Sequence, residues 1–446
     1  MAITIIDAIA RIKADVAFWL SPEAIRSVSQ AVGHTWRERL LDPVTTVHLF
    51  LLQVLHGNTA CSHVPRLGGV NCTGEAYSQA RSRLPLALFR SLIALLARRW
   101  PAAADNRWRG HRTFLVDGSS LSMPDTPELQ QAYGQPGGQA KGCGFPVMHL
   151  LALFDAATGF LISVATAALR THDMSQIASL HPEMDEGDIL VGDRACCSFA
   201  HLAMLKARQL FGLFRVHQRQ IVDFRPHRPC ASRKSPRTGR PTSRWLKRLG
   251  RHDQLVEYAK PKSRPTWLDD ATHASLPATI VVRELRYTIA VRGHRTRVVT
   301  LATTLLDPVA YPAAALAELY GQRWQVETNL RHLKQTMGMD VLRCQTVDGV
   351  QKEVAMYLLV HNLIRLVMLE AAKRQGVAVD RISFVDAARW LAEAASEHRS
   401  LRLRVNPSRP GRVEPRAVKR RPKEYSRLTR PRAELQKHLL KKGKMA

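Results

Sequence analysis

The chain has 446 residues, 45% of them hydrophobic and 23% charged, a globular composition that excludes collagen-like, disulfide-dense and wholly disordered classes and at this length predicts two or three domains. Sixty-six lysines and arginines against 37 acidic residues leave a net charge of +29, which points to a polyanionic partner, nucleic acid before acidic membrane. Seven cysteines without a C-x-x-C pair spell neither a zinc ribbon nor a redox dithiol, and a reducing cytoplasm suits them.

Residues 1–20 read as an amphipathic helix, because Asp7, Arg11, Lys13 and Asp15 interrupt the apolar run that a signal peptide would need. Apolar residues recur at three and four along 42–57 and 84–100, so the segment 1–105 is predicted helical. Between those runs Thr73 stands as a helix cap before Glu75 and Ala76, with Arg81 and Arg83 in outward positions. That short helix is either the reader of a helix-turn-helix or an ordinary packing element. From Thr113 the period becomes that of strands, over 113–121, 147–155, 160–169 and 188–193. The stretch 147–169 is the longest apolar-looking run, yet Asp155 stands at its middle, where a bilayer would penalise a carboxylate by about 3 kcal/mol. Two strands joined by a turn over 155–159 account for it, and neither a transmembrane span nor a membrane partner is expected. Helical spacing over 198–210 and a strand over 211–217 complete a strand-helix-strand unit and a mixed α/β sheet. Strand-like runs at 278–287, 288–293 and 296–306 then form a β-rich insertion with a hairpin tip at 292–295. Pro312 opens a helix over 313–337, about seven turns long and carried through Gly321.

The excess charge is localised. Residues 215–264 hold 15 basic and 3 acidic side chains, and residues 399–446 hold 17 and 3, so the two segments carry 26 of the 29 excess charges. Each reads as a solvated loop or tail, as a phosphate-neutralising arm, or as both.

Two aspartates stand out. Asp117 ends the run Phe-Leu-Val and precedes Gly118, Ser119 and Ser120; Asp193 ends Ile-Leu-Val-Gly and precedes Arg194 and Ala195. Taken singly, an aspartate at a strand end is usually a turn residue, but strand ends of α/β sheets are also where sites assemble. A third group is on the helix after Pro312. Tyr320, Arg323, Glu327 and Lys334 are spaced by three, four and seven residues, which at 100° per residue confines them to a stripe about 60° wide. Leu319, Val326, Leu330, Leu333 and Met337 fill the adjoining face. The stripe is either a solvated row of ion pairs, with Arg323 and Glu327 at i,i+4, or a chemical face. Three carboxylates can hold two Mg²⁺ roughly 3.5–4 Å apart for phosphodiester chemistry, while arginine and lysine grip phosphates. Asp125, Asp155, Asp173 and Asp188 remain alternatives for a place in such a triad.

At these residues the chain resembles the DDE transposases of insertion-sequence family four, whose helix carries the pattern Y-x2-R-x3-E-x6-K, matched by Tyr320, Arg323, Glu327 and Lys334. Residues 116–136 with 142–146 are similar to that family's first-aspartate region, and 189–202 to its second, although Ala195 and Cys196 replace the usual glycine and aromatic. Segments 350–365 and 409–432 are similar to its C-terminal parts. The resemblance implies a ribonuclease-H-like mixed sheet with a β-rich insertion, flanked by a helical N-terminal region and a helical and basic C-terminal region. It implies Asp117, Asp193 and Glu327 as catalytic metal ligands for two Mg²⁺, with Mn²⁺ able to substitute, and Tyr320, Arg323 and Lys334 as contacts to DNA phosphates. The implied organisation is 1–105 helical and DNA-end binding, 106–214 first part of the core, 215–310 basic insertion, 311–350 core helix with the glutamate, 351–398 helical, and 399–446 basic tail. The implied activity is metal-dependent strand cleavage and strand transfer in cut-and-paste transposition. Its partners would be double-stranded DNA, as terminal inverted repeats and target, and a second copy of the chain in a paired-end homodimer. A bacterial, nucleoid-associated location in the cytoplasm goes with this. A nuclease without strand transfer and an inactive DNA-binding descendant are the alternatives.

Overall fold

One sheet of nine strands organises the chain: β1 (Thr113–Ser122), β2 (Val147–Asp155), β3 (Leu161–Ala168), β4 (Ile189–Gly192), β5 (Phe211–Arg215), β6 (Arg244–Gly250), β7 (Asp253–Ala259), β8 (Thr279–Thr288) and β9 (Val298–Thr303). The computed structural model describes residues 20–99, 107–169, 171, 173–231, 239–289, 298–393, 401–407, 428 and 430–441. The amphipathic helix expected before residue 20 and the hairpin tip expected at 292–295 lie outside the described residues.

The strand order is β3-β2-β1-β4-β5-β9-β8-β7-β6. Strands β3, β2 and β1 pair antiparallel, while β1–β4 and β4–β5 pair parallel. This is the ribonuclease-H-like arrangement that the resemblance implied. The insertion continues the same sheet, because β9 pairs antiparallel with β5 and β8, β7 and β6 follow in a meander. The hairpin of β6 and β7 falls where the sequence suggested only a basic stretch. Arg244, Lys247 and Arg248 in β6 supply no apolar alternation by which a strand is recognised.

Among the described residues five helices precede the sheet: α1 (Pro22–Ala31), α2 (Pro43–Leu55), α3 (Val64–Gly68), α4 (Gly74–Arg83) and α5 (Leu86–Arg99). Asp42 caps α2, accepting from the Thr45 N–H at 2.7 Å, with Pro43 in the first turn. Within the sheet segment lie α6 (Pro127–Tyr133), α7 (Asp173–Ile177), α8 (Phe199–Ala207) and α9 (Asp270–Ser275); after it come α10 (Ala313–Gly321), α11 (Trp324–Arg331), α12 (Val347–Gln375), α13 (Phe384–Glu393) and α14 (Arg432–Lys441).

Strand alternation divides the core into two layers. Phe114, Val116, Leu190 and Phe214 pack on one face with α7 and α8. Leu115, Ile189, Val191 and Leu213 pack on the other with α10, α11, α12 and the N-terminal helices. Asp117 shares the parity of Leu115 and Asp193 that of Val191, so both are directed to the face that carries Glu327. Helix α12 is long and apolar enough to span a bilayer, but 89% of its most apolar stretch is buried inside the protein. It is the central rod against which α2, α5 and α13 pack.

In α4 the cap expected at Thr73 is present, with its hydroxyl accepting from the Ala76 N–H at 3.1 Å. The outward position expected for Arg81 is not. Arg81 turns inward, donating to Gln53 Oε1 at 2.8 Å and reaching Cys344 Sγ at 3.3 Å, with its guanidinium 4.7 Å from the Phe50 ring centre. Helical periodicity alone could not place it, because the partner residues come from α2 and from beyond α11.

Glu353 on α12 ties these parts together. It is fully buried and accepts from Asn58 Nδ2 at 2.6 Å and from the backbone N–H groups of Arg343 and Cys344 at 2.9 Å each. Replacing it by alanine strands those donors in the core, so Glu353→Ala is expected to destabilise the protein by about 3 kcal/mol. Thermal unfolding checks this; a melting temperature equal to wild type refutes it.

Candidate active site

The site forms where two parallel strands separate. Thr113–Leu115 of β1 pair with Ile189–Val191 of β4, and from Val116 onward the ladder of β1 is with β2. Asp117 lies just past the point of separation, and Asp193 follows the last residue of β4. Asp117 is thus not at a strand end as expected: β1 runs on to Ser122, because Gly118–Ser122 stay hydrogen-bonded to β2. What ends at Asp117 is the pairing with β4, which no local pattern reports.

Each aspartate is oriented by backbone donors. Asp117 Oδ1 accepts from the Gly118 N–H at 2.9 Å. Asp193 Oδ1 accepts from the Ala195 N–H at 2.7 Å and caps the tight turn over Arg194–Cys196. Gly192 permits that turn to approach β1, since a Cβ there would stand 2.9 Å from Cys196 Sγ and 3.0 Å from Val116 Cγ1. The cysteine at 196 is buried, filling the space beneath the turn.

The helix after Pro312 is not the single rod of seven turns that its sequence suggested. α10 stops at Gly321, and the N–H groups of Gln322, Arg323, Gln325 and Val326 bond to carbonyls three residues back. This tightened joint centres on Arg323. α11 follows, and then a π turn over His332–Thr336 closed by the Met337 N–H on the His332 carbonyl. A glycine at the end of α10 and the wide turn after α11 are enough to break the even 100° progression.

The joint brings Arg323 to the acids. Its Nη2 donates to Glu327 Oε1 at 2.7 Å, and its Nη1 lies 3.7 Å from Asp117 Oδ2. Burial pushes the Asp117 carboxyl up to about 6; the Gly118 N–H and Arg323 oppose the rise, and the nearby charges of Asp193 and Glu327 add to it. Tyr320 is buried beside Arg323, and burial pushes its hydroxyl up to about 12. Asp117, Asp193, Tyr320, Arg323 and Glu327 are therefore one electrostatic cluster. Lys334 is half-buried on the π turn and forms no ion pair among the described residues.

A cation missed from the sequence joins this cluster. Arg215, the last residue of β5, opposes the rise of the Tyr320 hydroxyl and so lies in the same field. It counted only as the start of a basic run, although its position at a strand end beside β4 was the available signal.

The donor set is three carboxylates, hard oxygen ligands of the kind that hold Mg²⁺ or Mn²⁺. Burial is the main reason the Asp117 carboxyl is raised, and the charges of Asp193 and Glu327 add to it. Among the described residues no three acidic, histidine or cysteine side chains already stand close enough to hold an ion. Arg323 supplies the positive charge between Asp117 and Glu327. The residues fit the cation in chemistry, with Arg323 lying across the approach.

A family model described as "Transposase DDE domain" matches residues 108–363, more than half of the chain and the whole span from the start of the sheet into α12. This chain belongs to the DDE transposase family. The transposase InsG of insertion sequence element IS4 from Escherichia coli strain K12 is 24% identical over 372 residues, covering 79% of this chain and 77% of that one. A piggyBac transposase synaptic complex with hairpin DNA, solved by cryo-electron microscopy, aligns at a TM-score of 0.42 and 11% identity over 85% of this chain and 79% of that one. As a DDE transposase the chain is an enzyme that cleaves and joins DNA strands with divalent metal ions.

The burial of Asp117, with Asp193 and Glu327 adding to it, predicts a pH signature in the absence of metal. Its folded-state pKa is raised above the unfolded value, so the stability it contributes is present below about 4 and is lost as pH rises through about 6. In EDTA, Asp117→Asn is expected to melt above wild type at pH 7 and to converge with it near pH 4. A difference that does not change with pH refutes the assignment.

Proposed function

We propose that Asp117, Asp193 and Glu327 are the catalytic carboxylates of this transposase and hold two Mg²⁺, with Mn²⁺ able to substitute, at the ends of an insertion element. The observation that carries the reading is the Arg323 bridge between Asp117 and Glu327, with Asp193 in the same electrostatic field. Acids drawn from two strands and a helix are brought together there at the cost of burying Asp117, to which their repulsion adds, and a structural role does not require that.

When bound, the two ions supply activation of the attacking oxygen and stabilisation of the leaving one. The chain does the rest. The sheet fixes Asp117 and Asp193 through backbone donors, so neither has to reorganise during reaction. Arg323 leaves the acids for a DNA phosphate when the strand arrives, and Tyr320 and Lys334 contact neighbouring phosphates. In cleavage, the oxygen of water forms a bond to phosphorus while the bond to the 3′ oxygen breaks, freeing a 3′-hydroxyl and a 5′-phosphate. In joining, that 3′-hydroxyl attacks a target phosphodiester in line and the target 3′ oxygen leaves with the proton.

The partners in this reading are double-stranded DNA, as terminal repeats and then target, and a second copy of the chain bridging paired ends. Segment 1–105 serves end binding; the basic segments within 215–310 and 399–446 neutralise phosphates and make affinity fall with salt. The whole assembly works on the nucleoid in the bacterial cytoplasm.

Glu327→Ala is expected to lower Mg²⁺-dependent nicking of terminal-repeat DNA by on the order of a thousandfold or more, because several kcal/mol of transition-state stabilisation goes with the ion. End binding in a gel-shift assay should persist. Cleavage at the wild-type rate sinks the triad; nicked DNA that is never joined converts the reading to a plain nuclease.

Arg323→Ala separates its two roles. Without DNA the variant is expected to bind Mn²⁺ more tightly than wild type by calorimetry, since the competing guanidinium is gone, while its affinity for DNA falls. Unchanged Mn²⁺ affinity would show that Arg323 does not stand in for the cation.

A further inference from the structure

Beside the acids, a different side of α11 opens on a cavity of about 630 Å³, a volume typical of small-ligand sites. Its walls are α11, the π turn, α12, the turn over Val379–Arg381 and the start of α13, with the β2–β3 turn beneath. Catalysis as derived above makes no use of it.

Arg365 of α12 lines this cavity while only 7% exposed. Its Nε and Nη2 both donate to the single carbonyl of Thr158, at 2.9 and 2.6 Å, and among the described residues its Nη1 has only the Met368 thioether at 3.8 Å. The carboxylates that attract it are Asp380 and Asp155, and neither is within ion-pair distance; Asp155 is taken by Arg112 at 2.7 Å. Burial outweighs both and pulls Arg365 down to about 10. A buried guanidinium with spare N–H groups and no adjacent anion bears its desolvation cost uncompensated.

A second buried polar group points the same way. His332 also lines the cavity, its ring stacked on Phe384 at 4.2 Å, and its Nδ1 is buried without a hydrogen-bond partner. Burial pulls this imidazole down to about 4, so the ring is neutral and able to donate without adding charge. The mouth is equally specific. Arg331 is exposed at the rim, and Trp324, 59% exposed, lines it with the Arg323 guanidinium 6.0 Å from its ring centre. Both lie within about one helical turn, 5.4 Å, of Glu327 along α11. One carboxylate, Asp380, stands at the outer edge.

We propose that this cavity binds a phosphate of the DNA strand that runs toward Glu327, with Arg365 as its buried ligand, Arg331 at the rim, and Trp324 as the surface against which the attached sugar or base rests. The DNA source of the phosphate rests on the transposase reading. The guanidinium fork suits two phosphate oxygens at once, and an exposed indole beside a cation is the combination that holds an unstacked nucleotide. An anion seated there also neutralises Arg365, so strand binding and the packing of the β2–β3 turn on α12 reinforce each other.

Truncating Arg365 would release the Thr158 carbonyl and risk the fold, so the decisive variant adds charge instead. Ala378 is exposed at the cavity wall, and Ala378→Glu places a carboxylate where the phosphate would sit; Ala378→Gln is the neutral control. Binding of a fluorescein-labelled terminal-repeat duplex is measured against salt, alongside thermal unfolding with inorganic phosphate and with a nucleoside monophosphate. Ala378→Glu is expected to weaken DNA binding roughly tenfold and to reduce the salt slope by about one phosphate, with Ala378→Gln like wild type. Wild-type affinity and slope in Ala378→Glu overturn the proposal. Stabilisation of wild type, but not of Ala378→Glu, by the free phosphates with DNA affinity unchanged overturns the DNA source and assigns the cavity to a free phosphate. Cleavage by Glu327→Ala is read separately, so failure of the triad and failure of the cavity are distinguishable.

Discussion

Three carboxylates gathered in one half-buried crease repel each other, and the architecture around them is arranged to withstand that repulsion. Asp117 and Asp193 are held by backbone N–H donors on strands that are parallel up to Leu115 and then part. Glu327 comes from the opposite side on α11. Arg323 sits between Asp117 and Glu327 as an internal counter-ion, 3.7 and 2.7 Å from them. Without it three partly exposed carboxylates would share the crease with no positive charge between Asp117 and Glu327. The tight joint between α10 and α11 exists at the residue that must make this bridge.

The scaffold holds the acids in place because the central strands of the sheet are buried on both faces. β4 is buried at all four residues, Ile189–Gly192, as expected for a central parallel strand covered by helices. The long apolar rod of α12 backs one face and is clamped to the β2–β3 turn by Asn362, whose side chain bonds both the N–H and the carbonyl of Leu161 at 2.8 and 2.9 Å. The insertion adds width to this same platform. Its innermost strand pair carries a fully buried Arg283, whose Nε donates to Asp253 at 2.8 Å and whose Nη1 reaches the Tyr311 carbonyl at 2.7 Å, so the meander is anchored directly ahead of α10. Rigid origins for the acids and a basic extension beside them are compatible in one sheet because strand pairing transmits position without requiring a new core.

The cations divide by environment. Arg81 and Arg365 were indistinguishable in sequence from the surface arginines of their helices. One became a packing element against Phe50, Gln53 and Cys344, and the other a buried charge facing a cavity. Arg323, at i,i+4 from Glu327, looked like an ordinary helix ion pair, yet its second partner lies 206 positions away in β1. A side chain's role depends on what long-range pairing brings opposite it, and the same guanidinium serves as spacer, clamp or counter-ion accordingly.

The sequence by itself determined the elements whose signals are local. The alternation of 113–121, 147–155 and 160–169, the buried run before Asp193 and the spacing of Tyr320, Arg323, Glu327 and Lys334 were enough to derive the mixed sheet and nominate the acids, since strand period and helix spacing act over a few residues. The hairpin of β6 and β7 was not legible, because its strand character comes from pairing with β8 rather than from apolar alternation. Only the tertiary structure decided that β1 parts from β4 just before Asp117, that the helix breaks at Arg323, that Arg215 lies in the field of Tyr320, that Arg81 turns inward, and that Arg365 is buried. Each of these is set by contacts between residues far apart in the chain, where burial and charge are properties of the neighbours rather than of the residue.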